Sequence, residues 1–373
     1  MKPFFSVIIP VYNVSPYLKV CLDSLLAAAK KVFEREEIFV EFVCINDGST
    51  DGSDKILEEY IPVFENCQNI IYKIISQSNQ GIGVVRNKGL ENSTGEWILF
   101  VDSDDVVVDT YFLTLMENIR KYLPCVLHFG HMRLSSLDSE ELLAFMRKNE
   151  CGGVTYEERD VIIFKILYSS VLWNMCYRRS VVCDVKFEEI THGEDVLFNA
   201  AILSRVKNAI VISKPLYGYL QRENSLMHQK DIPYSRFESC KISCLKRIRH
   251  AMSWSHYQNI KKELYKLVRT TVIFQYAQLF LSSSNKRMIF WDAYCEMGRE
   301  IYLPTADYIP CLIRKIGYFT FKHHIYWMWV LCLYAPMKLR VFLLRFSCIQ
   351  IIKDVVHSIR LATMSKFNNT KYV

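Results

Sequence analysis

Three carboxylates crowd into four positions directly after an apolar segment. The segment runs from Trp97 to Val101 and predicts a buried strand, and Asp102, Asp104 and Asp105 follow it. Crowded carboxylates are costly unless a cation or hydrogen-bond donors lie among them. In open α/β sheets, ligands bind at the carboxyl ends of the strands. The pattern therefore predicts a divalent metal with a diphosphate beyond it, or alternatively an acidic turn that caps the next helix.

Strands and helices alternate from residue 4 to about residue 120. Phe4 to Pro10, Val40 to Ile45 and Ile70 to Ile75 are apolar, β-branched segments that predict strands. Ser15-Pro16 predicts an N-cap and the first residue of a helix. Such alternation predicts a mainly parallel α/β sheet with right-handed crossovers, flanked by helices, so that the strand ends meet at one edge.

Polar segments follow these strands. Asn46 to Ser53 forms a polar turn after the second strand, and a glycine-containing turn from Asn79 to Gly83 follows the third. Arg86 falls in the helix after that turn, within reach of a phosphate at the same edge. Later in the chain, Ala209 to Ile212 predicts a further strand.

Five short motifs in this order resemble the family 2 glycosyltransferases of the GT-A fold, particularly bacterial members that build cell-surface polysaccharides such as capsules. The motifs are Val7-Ile8-Ile9-Pro10-Val11-Tyr12-Asn13, Asn46-Asp47-Gly48-Ser49-Thr50-Asp51, Gly83-x-x-Arg86-Asn87-x-Gly89-Leu90, Asp102-Ser103-Asp104-Asp105 and Gly193-Glu194-Asp195. The resemblance covers roughly residues 4 to 230. It implies a GT-A domain in residues 1–230, with a nucleotide-sugar half (1–120) and an acceptor half (121–230).

The resemblance also implies a donor site for a nucleotide-diphosphate sugar. The nucleoside would be bordered by Pro10, Tyr12 and Asn13, and the base would donate a hydrogen bond to Asp47. Arg86 would lie near the ribose or phosphates. The ribose and the metal would be held by Asp102 and Asp104, and Asp105 would lie close to the sugar. We favour Asp104 as the direct ligand of Mg²⁺ or Mn²⁺.

The acceptor side has its own candidates. Asp195 is our choice for the base that deprotonates the acceptor hydroxyl, with Glu194 second; the alternative is a charge pair at a helix start. Trp173 either contacts the acceptor sugar or is a core tryptophan. In a segment spaced like the lid of similar enzymes, Arg222 and Ser225 would clamp the diphosphate, and His228 either completes the metal shell or is structural.

Charge divides the chain in two. Residues 1–229 hold 23 Lys and Arg against 31 Asp and Glu, whereas residues 230–373 hold 23 against 8. We expect residues 231–373 to be helical, and the basic and apolar Tyr318 to Phe346 to lie on an anionic membrane surface. The alternatives are a bundle with a solvated basic face and a homodimer interface.

Composition narrows the location and the partners. The thirteen cysteines contain no CxxC pair and suit a reducing cytosol. The amino terminus does not resemble a secretion signal. We therefore expect a cytoplasmic protein at the inner face of the cytoplasmic membrane, and no nucleic-acid partner.

The sequence raises three candidate functions. The first is a metal-dependent, inverting hexosyl- or N-acetylhexosaminyltransferase, with a UDP-sugar as the preferred donor and a saccharide or lipid-linked acceptor. The second is a non-catalytic nucleotide-sugar-binding partner subunit of a polysaccharide assembly complex. The third, a nucleotidyltransferase, would need a glycine-rich loop after the first strand, and Val11 to Pro16 contains no glycine.

Overall fold

The computed structural model describes residues 2–138, 140–142, 145, 154–157, 160, 163–164, 171–221 and 234–260. Nine strands in these ranges form one sheet with the order β3-β2-β1-β4-β8-β6-β9-β5, and β7 pairs with β9. The strands are β1 (Phe5–Val11), β2 (Val40–Asp47), β3 (Ile70–Gln77), β4 (Trp97–Phe100), β5 (Val106–Val107), β6 (Val126–Leu134), β7 (Val154–Glu157), β8 (Met175–Arg178) and β9 (Ala209–Leu220).

Helices connect and cover these strands. They are α1 (Ser15–Glu36), α2 (Ser53–Glu59), α3 (Ile61–Glu65), α4 (Ile82–Asn92), α5 (Tyr111–Tyr122), α6 (Arg179–Val182), α7 (Glu194–Ala201) and α8 (Tyr234–Ser253), with 3₁₀ turns at Leu172–Asn174 and Leu203–Arg205. In the parts of the chain that the structure describes, no helix combines the length and the apolar composition needed to cross a bilayer.

The first four strands of the order are parallel. Ile8 of β1 lies opposite Val43 of β2 and Phe100 of β4, and β2 pairs in the same sense with β3. Their carboxyl ends therefore meet at one edge, which confirms the predicted α/β sheet. The acids after β4 and the polar turn after β2 lie at this edge.

Every residue of β1 and β2 is buried, because helices pack on both faces of this parallel half. Val7 and Ile9 belong to the main core, in which α1 and α5 pack. Val43 and Ile45 point the other way and contact Val85 of α4. The alternation along each strand assigns α4, which carries Arg86, to the opposite face from α1.

The second half of the sheet is mixed. β8 is antiparallel to both β4 and β6, β6 is parallel to β9, and β5 is antiparallel to β9. β9 continues to Leu220, eight residues beyond the predicted end at Ile212. Pairing with β6 extends it, which the local sequence did not reveal. As a result, Tyr217 and Tyr219 lie in the sheet.

The helix α8 lies in the compact unit Met1–Val268 and packs on α7. The predicted membrane-surface segment, Tyr318 to Phe346, lies outside the described residues.

Candidate functional site

The loops after β1 and β2 are joined by hydrogen bonds. Asn13, at φ 52°, accepts a bond at Oδ1 from the amide of Thr50 (2.8 Å), and its own amide donates to the Ser49 hydroxyl (3.1 Å). Asparagine tolerates this left-handed backbone better than most residues do. The two loops therefore form one hydrogen-bonded rim at the strand ends.

The start of α1 belongs to the same rim. The sequence predicted that Ser15 caps the helix with its own side chain. Instead, the amide of Ser15 donates to the Asp51 carboxylate (2.8 Å), so the capping group comes from another loop. Burial alone would raise the pKa of Asp51, but hydrogen bonds from Ser53 and Ser15 lower it to about 2. Asp51 is therefore ionised and fixed.

Three residues of the predicted nucleoside pocket differ in accessibility. Pro10 is buried in β1, Tyr12 is 50% exposed, and Asp47 is 4% exposed. Asp47 accepts hydrogen bonds from the Gln77 side chain (2.8 Å) and from the amides of Gln80 (2.9 Å) and Gly81 (3.0 Å). Asp47 thus shapes the turn before α4, and Tyr12 offers the exposed surface.

Asp105 is a structural anchor. It is fully buried, and its two oxygens accept hydrogen bonds from the Tyr217 hydroxyl (2.7 Å) and the Leu220 amide (2.8 Å). Burial, followed by the charges of Asp104 and Asp102, raises the pKa of Asp105 well above its usual value. We expected Asp105 close to a sugar; its side chain instead lies inside the fold, because β9 supplies its partners.

Tyr217 connects this anchor to the acids above it. Its hydroxyl donates to Asp105 and accepts from the Asp102 amide (3.1 Å). Sequence reasoning missed Tyr217, although the alternation of Tyr217 and Tyr219 is typical of one face of a strand. Trp173 stacks on both rings, at centroid distances of 4.8 and 5.2 Å. Since Trp173 is only partly buried, part of its surface remains available at the site.

Asp102 and Asp104 are both partly exposed. Within the described ranges, no three His, Cys, Asp or Glu side chains are grouped so as to hold a metal ion. Two carboxylates nevertheless fit Mg²⁺ or Mn²⁺, because such hard ions take oxygen ligands and Mg²⁺ commonly completes its shell with water and phosphate. The predicted further ligand His228 lies outside the described residues, as do Arg222 and Ser225.

Arg86 joins the two acidic segments. Its Nη1 lies 2.6 Å from Glu194 Oε1, and its Nη2 lies 3.5 Å from Asp102 Oδ1. Burial opposes its charge, but Glu194 and Asp102 outweigh burial and raise the pKa of Arg86. We expected Arg86 beside the ribose or phosphates; its side chain is 8% exposed, and its guanidinium faces these two carboxylates.

The rest of the Arg86 motif holds α4 against the segment before α7. Asn87 forms hydrogen bonds with both the carbonyl (3.0 Å) and the amide (2.7 Å) of Phe187. A Cβ on Gly83 would lie 2.7 Å from the Glu188 carbonyl oxygen, so only glycine fits this approach. The ring of Phe187 lies 5.7 Å from the Arg86 guanidinium. The spacing of the motif thus serves packing as well as charge.

The two candidate bases have different surroundings. Glu194 is buried in its ion pair with Arg86, whereas Asp195 is partly exposed and accepts a hydrogen bond from the Val196 amide (2.7 Å). Burial and the charge of Glu194 raise the pKa of Asp195 to about 6. A carboxylate with that pKa is ionised near neutral pH yet basic enough to accept a proton. Asp195 therefore stays the predicted base, and Glu194 is held in the ion pair with Arg86.

Comparisons with known proteins agree with the motifs. Residues 6–157 match the model of glycosyl transferase family 2. The chain is 32% identical over 233 residues to the glycosyltransferase GlyA of Streptococcus pneumoniae, covering 59% of this chain and 31% of GlyA. It is 38% identical over 236 residues to a poly(ribitol-phosphate) beta-glucosyltransferase of Bacillus spizizenii, and this match covers 62% of this chain and 34% of that relative. This chain thus spans about a third of the length of each relative.

The fold is similar to a solved structure, S. aureus TarS 1-349 in complex with UDP-GlcNAc. The TM-score is 0.63 at 22% identity, and the match covers 81% of this chain and 82% of that chain. The described residues thus have the GT-A-like fold that the sequence predicted.

Proposed function

Because residues 6–157 match the model of glycosyl transferase family 2, we propose that this chain is a member of that family and that it moves a hexosyl or N-acetylhexosaminyl group from a nucleotide-diphosphate sugar to a saccharide or lipid-linked acceptor in cell-surface polysaccharide synthesis. A UDP-sugar is the proposed donor, since the similar TarS structure contains UDP-GlcNAc. The sugar itself depends on pocket residues that the motifs do not include.

The donor would lie across the ends of β1, β2 and β4. The rim formed by Asn13 and its partners, with Tyr12 beside it, would border the nucleoside, and Asp102 and Asp104 would face the ribose and diphosphate. A divalent cation held by Asp104 and Asp102 would neutralise charge on the departing diphosphate. His228 remains the proposed further ligand, and Arg222 and Ser225 the proposed clamp.

Asp195 would accept the proton from the acceptor hydroxyl as that oxygen attacks the anomeric carbon. The bond between that carbon and the diphosphate breaks at the same time, and attack from the opposite face inverts the anomeric centre. General base catalysis of this kind contributes roughly 10²–10⁴-fold to the rate. Trp173 would offer its exposed part to the acceptor sugar.

One observation carries the proposal: Arg86 ion-pairs with Glu194, the neighbour of the proposed base, and lies 3.5 Å from Asp102 of the proposed donor site. A cation buried between two acidic segments fixes their separation, and transfer requires that the leaving group and the base act on one carbon.

The second candidate is the non-catalytic partner subunit. Asp195, with its pKa raised to about 6, supports the enzyme instead, because a subunit that only binds a nucleotide sugar has no need of a poised base. The basic segment Tyr318 to Phe346 would bring the site to a lipid-linked acceptor at the membrane surface, and a homodimer through the same segment is the alternative use. Sedimentation with anionic vesicles, compared with neutral vesicles and with the oligomeric state in solution, separates these uses.

A donor screen tests the proposed function. Melting temperatures are measured with UDP-, GDP- and dTDP-sugars, each with and without Mn²⁺, and UDP release is then followed with the sugar that stabilises most. We expect a UDP-sugar with Mn²⁺ to raise the melting temperature, because it binds only the native state. If no nucleotide sugar stabilises the protein and none is consumed, the proposal is wrong.

A further inference from the structure

The helix α8 turns a polar stripe toward the segment that contains the proposed base. Ser239, Ser243 and Arg247 are spaced by four residues, which places them on one helix face, and they are 7%, 2% and 3% exposed. Serine and arginine are seldom this buried unless they have polar partners. The stripe therefore needs a polar surface opposite, and residues 191 to 195 supply it.

The two serines bind this segment directly. The amide of Thr191 donates to the Ser239 hydroxyl (3.1 Å), and the two hydroxyl oxygens lie 2.9 Å apart. One helical turn later, the Ser243 hydroxyl donates to the carbonyl of Gly193 (2.8 Å). The segment is thus fastened to α8 at two points before α7 begins.

Gly193 leaves little room at the second point. Its backbone is left-handed, with φ +82°, and a Cβ there would lie 2.8 Å from the Ser243 hydroxyl oxygen. Glycine is needed for both reasons. Since Glu194 and Asp195 follow at once, the position of this turn sets the direction of both carboxylates.

The charges around Asp195 come from several elements. Glu194 is its neighbour, Arg86 approaches from α4, Arg247 from α8, and the Tyr177 hydroxyl group from β8. Burial and Glu194 raise the pKa of Asp195, whereas Arg86 and Arg247 lower it. Arg247 follows Ser243 by one helical turn on the same buried face of α8, and Ser243 bonds the residue just before α7, so the Arg247 cation is placed close to the start of α7. Arg86, in contrast, is paired with Glu194.

We propose that Ser243 and Arg247 are positioning residues for the proton transfer: Ser243 holds the Gly193 turn, and Arg247 supplies a buried positive charge beside Asp195. The inference rests on the proposed function, in which Asp195 accepts the proton. A partly buried carboxylate with an acidic neighbour tends to keep its proton. An arginine nearby favours the ionised form of Asp195 at neutral pH, because the guanidinium stays protonated there.

The test compares four full-length proteins: the wild type, Arg247→Gln, Arg247→Lys and Lys246→Gln. Lys246 is the matched control because it is the adjacent cation on α8 but pairs with Glu188, at 2.6 Å. We expect Arg247→Gln to move the acidic limb of the kcat/KM profile up by about one pH unit. In Arg247→Lys, which keeps the positive charge, the limb should lie close to its wild-type position. Lys246→Gln should leave the limb in place.

A second readout does not depend on turnover. The Asp195 carboxyl is titrated by carbon-13 NMR, and its resonance is assigned by its loss in Asp195→Asn. The midpoint should rise in Arg247→Gln and stay unchanged in Lys246→Gln. If the midpoint is the same in all variants, the role of Arg247 is wrong. If the wild type transfers no sugar but the Asp195 midpoint still rises in Arg247→Gln, only the proposed function is wrong.

Ser243→Ala tests the turn with a smaller change. It should lower kcat severalfold at unchanged donor KM, whereas Ser239→Ala, which loses its bond to Thr191 instead, should have the smaller effect on kcat. Equal kcat for Ser243→Ala and the wild type would overturn the role of Ser243.

Discussion

The guanidinium of Arg86 donates to the carboxylate of Glu194 across 2.6 Å, although 108 residues separate them in the chain. Both side chains are buried, and the same guanidinium lies 3.5 Å from Asp102. The strand-end acids and the acids of α7 are therefore held at a fixed separation by one cation. The account of the site depends on this connection.

Removing Arg86 should destabilise the protein strongly. In Arg86→Met, Glu194 would keep a buried charge without its partner, which costs about 3–5 kcal/mol. The double variant Arg86→Met with Glu194→Gln should recover part of this loss, because no lone buried charge remains. Urea denaturation of the wild type, both single variants and the double variant gives the coupling energy.

An exposed ion pair provides the control for this cycle. Lys186 and Glu91 lie 3.5 Å apart with side chains 78% and 61% exposed. Lys186→Met should change the free energy of unfolding little, because exposed pairs contribute at most about 1 kcal/mol. Equal effects of Arg86→Met and Lys186→Met would show that Arg86 is no structural link.

Tyr217→Phe should loosen the acidic loop. The variant removes the donor to Asp105 and the acceptor for the Asp102 amide, and unsatisfied buried groups cost about 1–3 kcal/mol. We expect lower stability in urea and weaker binding of a nucleotide sugar. Tyr72→Phe, which loses a hydrogen bond to the Leu57 carbonyl (3.1 Å), should lower stability without affecting the donor. Unchanged donor affinity in Tyr217→Phe would contradict the role of Tyr217.

Local sequence predicted the parallel half of the sheet because apolar strands, polar turns and amphipathic helices alternate there. It could not distinguish Asp105 from Asp102 and Asp104. The three acids are adjacent and chemically alike, and the inward direction of Asp105 is decided by Tyr217, 112 residues later. The partner of Arg86 was missed for the same reason, since Glu194 follows Arg86 by 108 residues, after β6, β7 and β8.

Activity should fall in acid as the base is protonated. The pKa of Asp195 is raised to about 6, and the carboxylate must be ionised to accept a proton. The log of kcat/KM should therefore be flat above pH 7 and decline below about pH 6. Asp184→Asn, which removes a mostly exposed carboxylate that lies 3.8 Å from Arg205, should keep this profile. A limb near pH 4 would contradict the raised pKa.

The most direct test of the account is transfer by Asp104→Asn and Asp195→Asn, measured as UDP release from the best stabilising UDP-sugar. Asp195→Asn should lose about 10²–10⁴-fold in kcat while it binds the donor as the wild type does. Asp104→Asn should lose the Mn²⁺-dependent rise in melting temperature together with activity. Wild-type rates in both variants would contradict a donor site at Asp104 and a base at Asp195.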